Sequence, residues 1–200
     1  MSTTKLKTAF ELPFYVVKDV LSQEENDKLK YDILTMASTQ ERNGGTGWFS
    51  GPKSPKTNFE VFSLDKHNEF DLIKQRITSY VNKFASEEYN SIRPFESTEG
   101  WYNVYNKENL QEFHVHPMSV FSAIYYCSFP EGSSPTVFKN PVVDMFPPFP
   151  FSSPSRFSND NLVMYPPGER SLIIFRSFIM HMVPTGDNDK TRITMSYNFA

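Results

Sequence analysis

Of the four histidines in the chain, two stand one residue apart, His114 and His116 in "EFHVHPM" (112–118), and a third, His181, follows far downstream in "FIMHMV". Side chains alternate between faces in an extended strand, so His114 and His116 point the same way. Two imidazoles at i and i+2, with a third from a distant strand, can occupy one side of a metal's coordination sphere. Positions then stay open for substrate and an oxidant, as non-haem iron chemistry requires. Pro117 suits this geometry, because the residue before a proline is biased toward extended backbone. H-x-H alone also fits two surface histidines on an amphipathic strand.

The C-terminal stretch "TRITMSYNF" adds a second chemistry. Arg192, Thr194, Ser196 and Asn198 alternate with Ile193, Met195, Tyr197 and Phe199. On the inner face of a jelly roll, an arginine beside hydroxyls is a carboxylate site, since guanidinium binds carboxylate in a bidentate pair. The plainer alternative is an ordinary exposed strand face.

These residues need strands to carry them, and from residue 100 the pattern has period two. "GWYNVYN", "EFHVH", "SVFSAIYYCSF", "TVFK", "SLIIF", "FIMHMV" and "TRITMSYNF" are short strands separated by turn residues. Many short strands in series predict a mainly β fold, a barrel or two-sheet jelly roll, rather than βαβ units. The N-terminal half is mixed. "AFELPFYVVKD" (9–19) reads as an edge strand because of its proline. Residues 22–38 read as a helix, opened by a capping box of Ser22 and Glu25. Phe70, Ile73, Ile77, Tyr80, Val81 and Phe84 trace a second helix between Phe62 and Tyr89. Residues 43–58 read as loop. The stretch 140–168 holds seven of the fifteen prolines and reads as a functional flap or an excursion.

Composition narrows the class. The chain has 200 residues, enough for one domain; residues 1–99 are expected to support a jelly-roll core over 100–200. Nineteen Phe, ten Tyr and two Trp can fill a core with few aliphatics. A net charge of −3 gives no nucleic-acid surface. One cysteine, Cys127, excludes an internal disulfide and fits a reducing compartment. The N-terminal residues lack a signal peptide's apolar run, and no apolar stretch is long enough to span a membrane. The expectation is a cytoplasmic protein.

Taken together, "HVH", "SVFSAIYYCSFPEG", "PPGERSLIIFRSFIMHMVPTG" and "KTRITMSYNF" resemble the iron(II)- and 2-oxoglutarate-dependent oxygenases. The pattern is similar to a branch of small proteins from bacteria and tailed phages, which read W-x-N, H-x-H-P, a strand ending in H, and R-I-x-x-S-x-N. The resemblance covers about residues 100–199 and implies a double-stranded β-helix that hydroxylates a C–H bond, using iron(II), O2 and 2-oxoglutarate and releasing succinate and CO2. It implies that His114 and His181 bind iron, and that Arg192, eleven residues after His181, holds the distal carboxylate of 2-oxoglutarate. Thr194 and Tyr126 match residues that assist that arginine, and Asn103 matches the W-x-N position near the co-substrate. The host cytoplasm is the expected location for a phage-encoded copy.

The sequence departs from the wider superfamily at His116, where Asp or Glu is usual. Either His116 is the third ligand, or it stands behind the iron and Glu112, two residues before His114, supplies a carboxylate. Three imidazoles are the preferred reading. Two rivals follow: a three-histidine dioxygenase of the cupin kind without 2-oxoglutarate, against which Arg192 argues, and a non-catalytic jelly roll holding structural zinc. Closed zinc sites usually want four ligands, often cysteines, and Cys127 is remote in sequence. Trp48 and the phenylalanines Phe146, Phe149, Phe151 and Phe157 are candidates for an entrance or lid, or for plain core packing. Cys127 reads as core and His67 as surface. The substrate, a small molecule or a protein side chain, and the oligomeric state are not encoded legibly.

Overall fold

The computed structural model describes residues 12–39, 49–58, 67–141, 162–165 and 167–200. Along the chain run β1 (Tyr15–Val17), α1 (Gln23–Ser38), β2 (Lys56–Thr57), α2 (Asp71–Tyr89), β3 (Ser97–Tyr105), β4 (Gln111–His114), β5 (Phe121–Ser128), β6 (Thr136–Lys139), β7 (Leu162–Tyr165), β8 (Leu172–Arg176), β9 (His181–Val183) and β10 (Arg192–Phe199).

Ser22 starts α1 as the sequence predicts: its Oγ accepts from Glu25 N at 3.2 Å and its N donates to Glu25 Oε2 at 2.7 Å. Leu29, Ile33 and Ala37, four residues apart, form the buried stripe of α1. Ile73, Ile77, Val81 and Phe84 do the same for α2, which ends at Asn90 in the left-handed conformation (φ 52°).

The strands form two antiparallel sheets, ordered β1-β8-β5-β10-β3-β2 and β4-β9-β6-β7. This is the double-stranded β-helix, the jelly roll expected from the sequence. The period-two pattern divides the larger sheet by face. Ala123, Tyr125 and Cys127 of β5 and Ile193, Met195, Tyr197 and Phe199 of β10 join Leu29, Ile33, Ile77 and Phe84 in one core beneath the helices. Ile124, Tyr126, Ile173 and Phe175 turn inward and meet Phe138 of the smaller sheet. Cys127 is fully buried, and burial pushes its thiol up, as befits a core residue. Gly100 is required where it stands, because the ring of its cross-strand partner Tyr197 fills the space a side chain would take.

β1 is the edge strand the sequence predicts, paired with β8 alone among the described residues. Two strands were hidden from pattern reading. β2, two residues inside the expected 43–58 loop, is an outer strand on β3. β7 lies at the end of the proline-rich 140–168 stretch and pairs with β6 over four residues. β2 is too short for a periodic signal, and "LVMY" of β7 does not alternate. Residues 142–161, with Phe146, Phe149, Phe151 and Phe157, lie outside the described residues, as does Trp48. Among the described residues no helix is long and apolar enough to cross a membrane.

Candidate metal centre and its cleft

β4 and β9 are neighbours, and their register sets His114 directly opposite His181. Pairing across the sheet thus closes a gap of 67 positions in sequence. His116 lies two residues beyond the end of β4, where its backbone N donates to Ser177 O at 3.1 Å. The strand therefore stops short of the expected "EFHVH", yet the ring still joins the other two. Ring centroids are 4.2 Å apart for His114–His181, 5.1 Å for His114–His116 and 5.0 Å for His116–His181. One nitrogen from each ring lies within 4.8 Å of the others, and the Nε2 atoms of His116 and His181 are 3.2 Å apart. Metal–imidazole bonds of about 2.1 Å would set neighbouring nitrogens roughly 3.0–3.4 Å apart, so this edge fits a metal ion.

The environment keeps these rings neutral. Phe138 and Phe175 pack on His181 at 5.9 and 4.9 Å, and His181 is 3% exposed. Burial holds His181 well below the ordinary imidazole range, with His114 and His116 adding to the effect. Burial likewise lowers His114, and it lowers His116, with help from His114, to about 3. A neutral imidazole keeps the lone pair a metal needs. Nδ1 of His114 donates to Glu112 O at 2.8 Å and Nδ1 of His181 to Ile179 O at 3.0 Å, so the Nε2 of each ring carries a lone pair rather than a proton.

Beside the histidines runs a stripe of cross-strand pairs between β10 and β3: Arg192 with Tyr105, Thr194 with Asn103, Ser196 with Trp101, Asn198 with Glu99. Arg192 is 2% exposed, and among the described residues its Nε and Nη1 have no hydrogen-bond partner. Tyr105, Tyr126 and Phe129 surround the guanidinium at 4.4, 5.5 and 6.0 Å from their ring centroids. Burial raises both tyrosines, Tyr105 to about 12, so their hydroxyls stay protonated donors. Tyr126 Oη is 2.6 Å from Thr136 Oγ1. A buried cation with unused donors is costly unless an anion completes it. Thr194, Asn103, Thr136 and the three histidines line the same narrow inner chamber as Arg192.

Outward from the histidines opens a cleft of about 310 Å³, walled by Pro55, Glu99, Trp101, Gln111, Val115 and Pro117 among others. His114, His116, Asn103 and Asn198 border it as well.

Every described residue singled out for the site in the sequence falls in this region. Tyr126 contributes beside Arg192 rather than on the chamber wall, and Asn103 has an unpartnered, buried Oδ1. Glu112 is engaged elsewhere: its carboxylate accepts the backbone N–H groups of Phe49 and Ser50 at 2.8 and 2.9 Å. That clasp ties the 49–58 segment, one wall of the cleft, to the strand carrying His114. His67 is half-buried, 3.9 Å from Glu69 and remote from the cluster. Sequence reasoning missed Tyr105, Trp101, Thr136, Glu99 and Gln111. For the first two and Glu99 the signal was present: they alternate with Asn103 along β3 and so share its face.

A jelly roll that brings three histidines together beside a buried arginine, two of whose nitrogens have no partner among the described residues, is consistent with a metal-dependent oxygenase that takes an acidic co-substrate. The family model described as "Putative 2OG-Fe(II) oxygenase" matches residues 99–198, and the chain belongs to that family. It is an oxygenase whose cofactor and co-substrate are iron(II) and 2-oxoglutarate. Solved structures share the fold at low identity. A prolyl-4-hydroxylase from Pseudomonas putida superposes with a TM-score of 0.64 at 13% identity, covering 94% of this chain and 92% of that one. HygX from Streptomyces hygroscopicus, with nickel, 2-oxoglutarate and hygromycin B bound, gives 0.64 at 12%, covering 94% and 83%. The viral collagen prolyl hydroxylase of Paramecium Bursaria Chlorella virus-1 gives 0.59 at 11%, covering 93% and 94%. No curated protein matches the sequence.

Proposed function

We propose that this oxygenase hydroxylates a C–H bond of a substrate seated in the outer cleft, with iron held by His114, His116 and His181. The observation that carries the reading is the convergence of three neutral imidazoles beside a buried arginine with unused donors. When bound, iron(II) and 2-oxoglutarate supply the oxidising chemistry, consuming O2 and releasing succinate and CO2.

The chain's own residues bind, orient and exclude water. Backbone carbonyls of Glu112 and Ile179 fix two rings with Nε2 available. Arg192 takes the distal carboxylate of 2-oxoglutarate, with Thr194 and the Tyr126 hydroxyl as further donors and Asn103 alongside. The aromatic collar around Arg192 keeps water from competing for its N–H groups. Trp101, Val115 and Pro117 offer an apolar wall to the substrate next to the histidines. Both a protein side chain and a small molecule fit the reading; the similar structures include a prolyl-4-hydroxylase and HygX with hygromycin B bound. The lone, buried Cys127 supports work in a reducing cytoplasm, that of the host for a phage-encoded copy.

Anaerobic loading with iron(II) and 2-oxoglutarate, then exposure to O2 with libraries of peptides and metabolites, tests the proposal. Succinate formed in proportion to an oxidised product is expected. Succinate formation unaffected by removing iron would refute it.

A further inference from the structure

His116 is wired differently from its two neighbours. Nδ1 of His114 and of His181 faces a backbone carbonyl, which only accepts, so each carries its proton on Nδ1. His116 Nδ1 instead lies 3.3 Å from Nδ2 of Asn198, a donor. This imidazole therefore accepts at Nδ1 and carries its proton on Nε2, which points at His181 Nε2 3.2 Å away. An Nε2 that carries a proton has no lone pair for a metal.

The orientation of the Asn198 amide decides the matter, and Asn198 is 1% exposed, so its neighbours set that orientation. Its Oδ1 accepts from Ser122 Oγ at 2.8 Å, and Ser122 Oγ is 2.8 Å from Ser177 Oγ. Its Nδ2 donates to Glu99 Oε1 at 3.1 Å. Turned over, the amide would still satisfy the serine pair, because hydroxyls donate or accept. It would also let Oδ1 accept from an Nδ1–H of His116. Glu99 alone breaks the tie: a carboxylate only accepts, so it demands the Nδ2 edge.

We propose that Glu99, acting through Asn198, is a positioning residue that sets the tautomer of His116 and makes it the conditional ligand of the three. Without metal, His116 is the Nε2–H form, hydrogen-bonded to His181. Its engagement moves one proton from Nε2 to Nδ1 of the same ring and turns Asn198 over, against the preference of Glu99. The ligand part of this inference rests on the three-histidine reading above; the tautomer does not.

Two-bond 1H–15N correlation spectra of the labelled, metal-free full chain at neutral pH read each ring directly. Nδ1–H is expected for His114 and His181 and Nε2–H for His116, with His116 switching to Nδ1–H when Zn(II), used as the probe, is added. In Glu99→Gln, whose amide can donate to Asn198 Oδ1, His116 should populate Nδ1–H without metal. Zn(II) should then bind about tenfold tighter, the lower end of effects from residues behind the ligands. The double variant Glu99→Gln with Asn198→Asp, which has an acceptor at 198 and no second carboxylate beside it, should hold His116 as Nδ1–H. His116 found as Nδ1–H in the metal-free wild type, or unchanged in tautomer in both variants, would overturn the proposal. Tautomers as stated with no zinc bound would instead sink the three-histidine reading and leave the Glu99–Asn198 device standing.

Discussion

The two faces of β10 are equally buried and opposite in meaning. All eight of its residues are buried, yet Ile193, Met195, Tyr197 and Phe199 pack under the helices while Arg192, Thr194, Ser196 and Asn198 line the chamber and cleft. Burial alone does not separate core from site. What marks the chamber face is the charge it buries: a guanidinium of which two nitrogens have no hydrogen-bond partner among the described residues, beside the amide oxygen of Asn103. A fold pays for such groups in stability, and a ligand completes them.

Substitutions on the two faces should therefore part company. Met195→Ala, on the core face, should cost about 2–5 kcal/mol of stability, as large-to-small changes in packed cores do, and leave metal affinity nearly unchanged. Chemical denaturation checks the first and zinc titration the second; a stable variant with weakened metal binding would blur the two faces into one. Arg192→Met should do the reverse. Loss of a buried charge-assisted pair should weaken 2-oxoglutarate binding by roughly 2–4 kcal/mol, about 30- to 1000-fold, with metal retained. The ligand-free variant should be as stable as wild type or more so, since a buried charge gives way to an apolar group. Unchanged 2-oxoglutarate affinity would remove Arg192 from the site. Thr194→Val keeps the shape and deletes one hydroxyl. It should cost about 1 kcal/mol of 2-oxoglutarate affinity, near fivefold.

A separate effect is on pH. The metal-free protein holds His116 neutral down to about 3, whereas an unfolded chain's imidazole takes its proton near 6.5. Below about 6.5 the unfolded state binds more protons, so stability should fall as pH drops through that window toward 3. Metal bound to the imidazoles should deepen the pH dependence, because protons must displace it. Denaturation midpoints across the window, with and without zinc, give the measurement; a flat profile would mean that the rings are solvated.

Much of this was legible in the sequence because it is written in periods. Alternation in "TRITMSYNF" separates the two faces, the spacing of Leu29, Ile33 and Ala37 marks α1, and the Ser22–Glu25 box marks its start. The H-x-H pair and the distant His181 were visible as a metal pattern, since metal ligands are few in type. Register was not legible. Nothing in the chain says that His114 lies opposite His181, or that Glu99 lies opposite Asn198. Glu112 shows the same limit: its spacing from His114 suggested a ligand, while its contacts are the amides of Phe49 and Ser50, contributed by a segment 62 positions away. β2 escaped because two residues carry no period, and β7 because "LVMY" does not alternate and sits among prolines; the place of both depends on the neighbours that accept them.

In the proposed centre three imidazoles, without a carboxylate, hold the iron. Iron retained after anaerobic gel filtration tests it in wild type, His116→Ala, His116→Asp and Glu112→Gln. His116→Ala should lose its iron, while His116→Asp should keep it, because a carboxylate there offers the ion an oxygen and a compensating charge. Glu112→Gln should keep its iron, since its carboxylate serves the 49–58 wall. Full iron in His116→Ala together with loss in Glu112→Gln would contradict the claim and transfer the third position to the carboxylate.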